Sequence, residues 1–109
     1  MAIVHIVLFQ FKPQVQQTAV QDVCRRMLAL KDQCMHPTTN KPYLKTSVGG
    51  KDNSPEGIQH GITHGFVVEF ESIEDRDYVT EDPVHQGFLK SIGDVVEKAQ
   101  VIDFTPDVY

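Results

Sequence analysis

Residues 3–11 are apolar on both faces, with Ile3, Val7, Phe9 and Phe11 on one and Val4, Ile6 and Leu8 on the other. A strand covered from both sides reads this way. Val20, Val23, Cys24, Met27, Leu30 and Cys34 then recur at helical spacing, and Gln17, Gln21, Arg25 and Gln33 fall opposite them. That pattern predicts a long amphipathic helix. Pro13 suits its first turn, and His36-Pro37 ends it. Residues 36–61 are punctuated by Pro37, Pro42, Gly49, Gly50, Pro55, Gly57 and Gly61. A short strand is expected at Tyr43–Val48. The stretch from 49 to 61 reads as a long loop, either a rim or lid over a site or a tolerated insertion.

Alternation returns at 62–70 and predicts another strand. Ser72 with Asp75 three residues on forms a variant capping box for a short helix. Asp82 followed by Pro83 opens a second helix. Its buried face is expected to carry Val84, Phe88, Leu89, Ile92, Val95 and Val96. Residues 100–104 are the last strand, closed by Thr105-Pro106. The order β-α-β-β-α-β is a ferredoxin-like α+β arrangement. The 109 residues form one domain over 1–109.

In this topology both helices lie on one sheet face. Val4, Ile6, Leu8 and Val67 would then lie on the other, where each large apolar side chain left wet forfeits about 1.5–3 kcal/mol. A homodimer with its two sheets facing each other is the expected remedy.

Composition narrows the function classes. Ten Lys plus Arg against fifteen Asp plus Glu give a net charge of −5, with no basic stripe of the kind that binds nucleic acid. No apolar run is long enough to span a bilayer, and the first residues lack the charged region of a secretion signal. Cys24 and Cys34 fit neither a zinc nor a redox spacing. They read as packed thiols of a cytoplasmic protein. No glycine-rich phosphate loop follows a strand, so a nucleotide cofactor is not expected.

The candidate chemistry lies in histidines. His5 and His64 each stand six residues before a phenylalanine, Phe11 and Phe70. An even spacing puts both members of each pair on one strand face. His85 falls on the apolar stripe of the last helix, in its first turn. There the helix N-terminus and burial both favour a neutral imidazole able to accept a proton, while a close Asp82 carboxylate opposes them. The three rings are expected to converge on a pocket between sheet and helices. His85 is the first choice for a base, and His64 for its orienter or a donor to a carbonyl. His5 is the weaker third candidate. Val7, Phe9, Phe66, Val68, Phe88 and Leu89 would line the apolar walls. The alternative for each histidine is a satisfied core residue. Three imidazoles can hold zinc, but no accompanying ligand pattern supports a metal. His36 and His60 fall in loop-like stretches and read as solvated.

Taken together, His5 through Lys12, Ile62-Thr63-His64, Phe70-Glu71-Ser72, Pro83 through Phe88 and Ile102 through Pro106 resemble the stress-responsive dimeric α/β-barrel (Dabb) family. The resemblance covers nearly the whole chain. It implies a dimer built by packing two sheets into a barrel. It also implies an activity found in the family, cofactor-free closure of a polyketide chain by intramolecular aldol condensation. Histidines on the first strand, on the third strand and at the start of the last helix serve that reaction, and His5, His64 and His85 fall on those positions. The family enzyme also uses a tyrosine shortly before the last histidine. Gapless counting puts Val79 there and Tyr78 one residue earlier, about 100° round a helix. Tyr78 would serve only if the register shifted. The expected function is therefore acid–base chemistry on a hydrophobic, polyketide-like carbonyl compound, an aldol-type cyclisation or related lyase reaction. The alternative is a non-catalytic stress-response or ligand-binding homodimer.

Overall fold

The structure, a computed structural model, describes residues 2–109. Strand β1 spans Ile3–Phe11, helix α1 Gln17–Gln33, β2 Leu44–Lys51 and β3 His64–Phe70. Helices α2 (Ile73–Val79) and α3 (Pro83–Ile92) follow, and β4 (Val96–Phe104) closes the chain. The four strands form one antiparallel sheet in the order β2-β3-β1-β4. The ferredoxin-like α+β expectation holds.

Each element has a local cause. Helix α1 buries Val20, Val23, Met27 and Leu30, a stripe at helical period. Pro13 lies in a turn before the helix, not in its first turn, and Gln16 is the N-cap. Ser72 caps α2 by accepting the Asp75 N–H at 3.1 Å. Asp82 caps α3 by accepting the Val84 N–H at 2.9 Å, with Pro83 next. Strand β3 alternates strictly, burying His64, Phe66, Val68 and Phe70.

Several boundaries differ from the sequence expectation: β2 starts at Leu44 rather than Tyr43, and β3 at His64 rather than 62. Strand β2 runs on through Gly49 and Gly50, because Gly49 pairs with Phe66 and has no side chain to displace its ring. Strand β4 begins at Val96, and α3 stops at Ile92. Val96 pairs with Phe11 rather than continuing the helix stripe. Within α3, Phe88 and Ile92 are buried while Val84 and Leu89 are exposed.

The 52–63 connection is tied down. Asp52 accepts Gln59 Nε2 at 2.6 Å and the Ser54 N–H at 3.1 Å. His60 and Gly61 turn through positive φ of 54° and 89°, and Gly61 packs on the Gln10 side chain where a Cβ would sit 2.9 Å away.

The helices cover the sheet face bearing Ile3, Val7, Phe9, Phe66, Val68 and Phe70. On the other face, Val4, Ile6, Leu8 and Val67 are only half-buried. Val48 (61%), Ile102 (58%) and Phe104 (44%) are exposed beside them. No helix among the described residues is long and apolar enough to cross a membrane.

Candidate active site

A cavity of about 310 Å³ opens between the β1–β4 side of the sheet and the helices. Val7, Phe9, Met27, Val79, Phe88, Leu89, Ile92, Ala99 and Val101 supply its apolar walls. His5, Arg76, Thr80, His85 and Asp103 supply its polar groups. A mostly apolar hollow with a few convergent polar groups is the usual form of a small-molecule site.

His5 projects from β1 beside Asp103, its register partner on β4. Its Nδ1 lies 2.5 Å from Asp103 Oδ1. An ionised carboxylate only accepts, so Nδ1 carries the hydrogen and Nε2 of a neutral ring keeps its lone pair. The same carboxylate's Oδ2 accepts from Arg76 Nη1 at 3.2 Å. Arg76 Nε in turn donates to Asp77 Oδ1 at 2.8 Å.

His85 stands in the first turn of α3, facing this group. Its Nδ1 is buried and has no hydrogen-bond partner among the described residues. Burial holds its pKa below the ordinary 6.5, and the neighbouring His5 ring pushes the same way. The Asp82 carboxylate and the Val79 carbonyl oppose these effects without overcoming them. His85 is therefore a neutral imidazole at neutral pH, a form able to accept a proton.

His64 is elsewhere. On β3 it lies opposite Phe9, while His5 lies opposite Val68. Four residues of strand separate those rungs, roughly 13 Å. His64 Nδ1 meets Thr63 Oγ1 at 2.8 Å, and its ring packs edge-on against Phe11. Burial, then the nearby Lys51 charge, lowers its pKa. It does not line the His5–His85 cavity and cannot orient His85. Phe66 is also absent from the lining, since it is sealed in the core against Phe9 with ring centroids 5.5 Å apart. Val68 reaches only a small adjoining space of about 10 Å³ behind His5 and His85. The cavity lies over β1 and β4, while the inward side chains of β3 are packed into the core.

Tyr78 does not face His85. Its ring packs on His36 and Tyr43, with centroids 5.6 and 5.4 Å away. Val79, the next residue, lines the cavity instead. The gapless count therefore describes the helix, and the register shift that Tyr78 needed has not occurred. His36 is correspondingly half-buried in this aromatic cluster rather than solvated.

Three polar groups of the cavity, Arg76, Thr80 and Asp103, are not among the candidates singled out from the sequence. Asp103 is detectable as a lone acid sharing a strand face with Val101. Arg76 is detectable as the residue one helical turn before Val79. No residue of 49–61 lines the cavity, so that loop does not cover it. Cys34 is fully buried. Burial and then the Asp82 charge push its thiol up to about 12, which makes it inert as a nucleophile. Among the described residues no three of His, Cys, Asp and Glu are grouped to hold a metal ion.

Comparison with known proteins places the fold. Olivetolic acid cyclase from Cannabis sativa is 28% identical over 107 residues, covering 97% of this chain and 98% of the cyclase. A crystallographically solved Arabidopsis thaliana protein superposes with a TM-score of 0.84 at 27% identity, covering 98% of this chain and 97% of that one. Hydroxynitrile lyase from Passiflora edulis reaches the same TM-score at 22% identity, covering 99% of this chain and 96% of the lyase. The Stress responsive A/B Barrel Domain model matches residues 3–106. The chain belongs to the stress responsive A/B barrel domain family, Dabb.

Proposed function

We propose that this chain is a cofactor-independent acid–base enzyme acting on a hydrophobic small molecule with carbonyl groups. Aldol-type ring closure of a polyketide-like chain is the reaction that suits it best. The observation that carries the reading is the buried, unpartnered Nδ1 of a neutral His85 beside an apolar cavity of about 310 Å³. A buried polar atom without a partner is rare in native proteins, and it marks a ring whose polar capacity the fold does not use up, on a residue that lines the cavity. The similarity to olivetolic acid cyclase supports the same class of reaction.

In this reading His85 takes a proton from a carbon alpha to a carbonyl. The resulting enolate carbon attacks a second carbonyl of the same molecule, forming a C–C bond and an alkoxide. The protonated His85 then returns its proton to the alkoxide. A placed acid–base group of this kind is worth roughly 10²–10⁴-fold in rate. His5, held by Asp103, is the second proton-handling group. The enzyme works as a homodimer whose exposed Val48, Ile102 and Phe104 meet those of a second copy.

A passive ligand-binding dimer is the second reading. Val79 at the expected tyrosine position and the remoteness of His64 favour it. The deciding experiment offers a linear tri- or tetraketide thioester to the wild type and to His85→Ala. Ring formation faster than the uncatalysed rate, lost in His85→Ala, supports the enzyme. Binding without accelerated closure in the wild type supports the passive dimer.

A further inference from the structure

Resting on the carbonyl chemistry just described, we propose that Arg76 is the fixed oxyanion donor of the cavity, filling the role left open by Val79. Arg76 and Val79 are one turn apart on α2, and both line the cavity. Residues at this spacing share a helix face. A donor lost at one position of that face is thus available at the other.

The guanidinium is held at two of its three nitrogens. Nε donates to Asp77 and Nη1 to Asp103. Two bonds to a rigid planar group fix its plane and its remaining N–H directions. Nη2 has no protein acceptor among the described residues. Arg76 lines the cavity together with His5 and His85, so a donor N–H left over from those two bonds is preorganised beside them.

The surrounding charges select what this donor stabilises. Two carboxylates, Asp77 and Asp103, flank the one Arg76 charge, so the long-range pull on an anion is weak and the guanidinium acts through a short-range N–H bond to an oxygen already seated beside it. A neutral carbonyl is admitted without repulsion, and the negative charge that develops on its oxygen meets the free Nη2–H. Stabilisation that grows along the reaction coordinate is what accelerates a step. When His85 removes the alpha proton, the C–H electron pair moves into the new C=C bond and the carbonyl π pair moves onto oxygen. Nη2–H hydrogen-bonds that oxygen without transferring its proton. Being always protonated, guanidinium serves this role at any working pH.

The test uses 4-nitrophenol, an aromatic stand-in for an enolate whose ionised form is coloured. Wild-type protein should bind it with a larger ionised fraction than the free dye shows at the same pH. Arg76→Met should bind the dye largely in its neutral form, with a shift of at least about tenfold in ionisation constant, or one pH unit. Arg76→Lys keeps the charge but loses the fork, and should retain only part of the effect. For a polyketide substrate, Arg76→Met should lower kcat by roughly 10²–10³-fold with little change in KM. Dye bound by the wild type without enhanced ionisation, or enhancement surviving in Arg76→Met, overturns the Arg76 assignment and leaves the cavity reading intact. Dye that never perturbs the NMR signals of His85 and Phe88 overturns both.

Discussion

Tyr43, at the entry to β2, donates its hydroxyl to Oδ2 of Asp82 across 2.6 Å, and both side chains are buried. The other oxygen of Asp82 accepts the Val84 N–H that starts α3. One carboxylate thus ties the far edge of the sheet to the turn that carries His85. A hydrogen bond to a buried charged group contributes about 1.5–3 kcal/mol. Tyr43→Phe should destabilise the fold by that amount in urea unfolding, with little change in m-value. A loss below about 0.5 kcal/mol, the low end for an ordinary hydrogen bond, would show that this contact does not anchor α3.

Gly49 marks a tight passage in the sheet. A Cβ there would lie 2.2 Å from a Phe66 ring carbon and 2.7 Å from the Gly65 carbonyl oxygen. The ring has little room to yield, since Phe66 is buried, and the carbonyl belongs to the neighbouring strand. Gly49→Ala should cost about 1–3 kcal/mol, as overpacking does. Gly50→Ala, where nothing lies within 4 Å, is the matched control and should be near neutral.

Stability should fall on mild acidification because of His64 and His85. Both are held below the ordinary 6.5 in the folded chain, chiefly by burial. Between 6.5 and those lower folded values the unfolded chain binds protons that the native chain refuses, so unfolding gains as pH drops. Above 6.5 both states are neutral and the effect vanishes. His64→Gln and His85→Gln should each flatten the slope of unfolding free energy against pH below 6.5. An unchanged slope in both would mean that these rings are freely protonated in the native state.

Ile102 lies on β4 opposite Ile6, on the sheet face that the helices leave uncovered, and is 58% exposed. Light scattering at micromolar concentration should give the wild type twice the mass of one chain. Ile102→Asp should give a single chain, since a carboxylate in an apolar sheet–sheet contact is strongly penalised. A wild-type monomer would remove the proposed dimer.

The fold was largely legible because periodicity and caps agree. The alternation through Phe66, Val68 and Phe70, the Ser72 and Asp82 caps and the stripe from Val20 to Leu30 each point to one element. Gly49, Gly50 and Val96 were misplaced because tertiary pairing decides their state. Glycine is tolerated in β2 where Phe66 needs its space, and Val96 is claimed by Phe11. The candidate site was legible only by face. A period of two says which side of the sheet His5 and His64 occupy, but not how far along it each one sits. Register decides that, and it sets His64 four rungs from His5's partner. Register also brings Asp103 to His5, a pairing between opposite ends of the chain. Arg76 escaped notice because a charged residue on a short helix ordinarily reads as solvated.

The most direct test of the central claim is an NMR titration of the His85 ring in the folded protein, with and without an apolar carbonyl guest such as a 2,4-diketone. A midpoint below 6.5 that moves when the guest binds is the predicted result. A midpoint at 6.5 that ignores the guest would contradict a neutral His85 facing an open cavity.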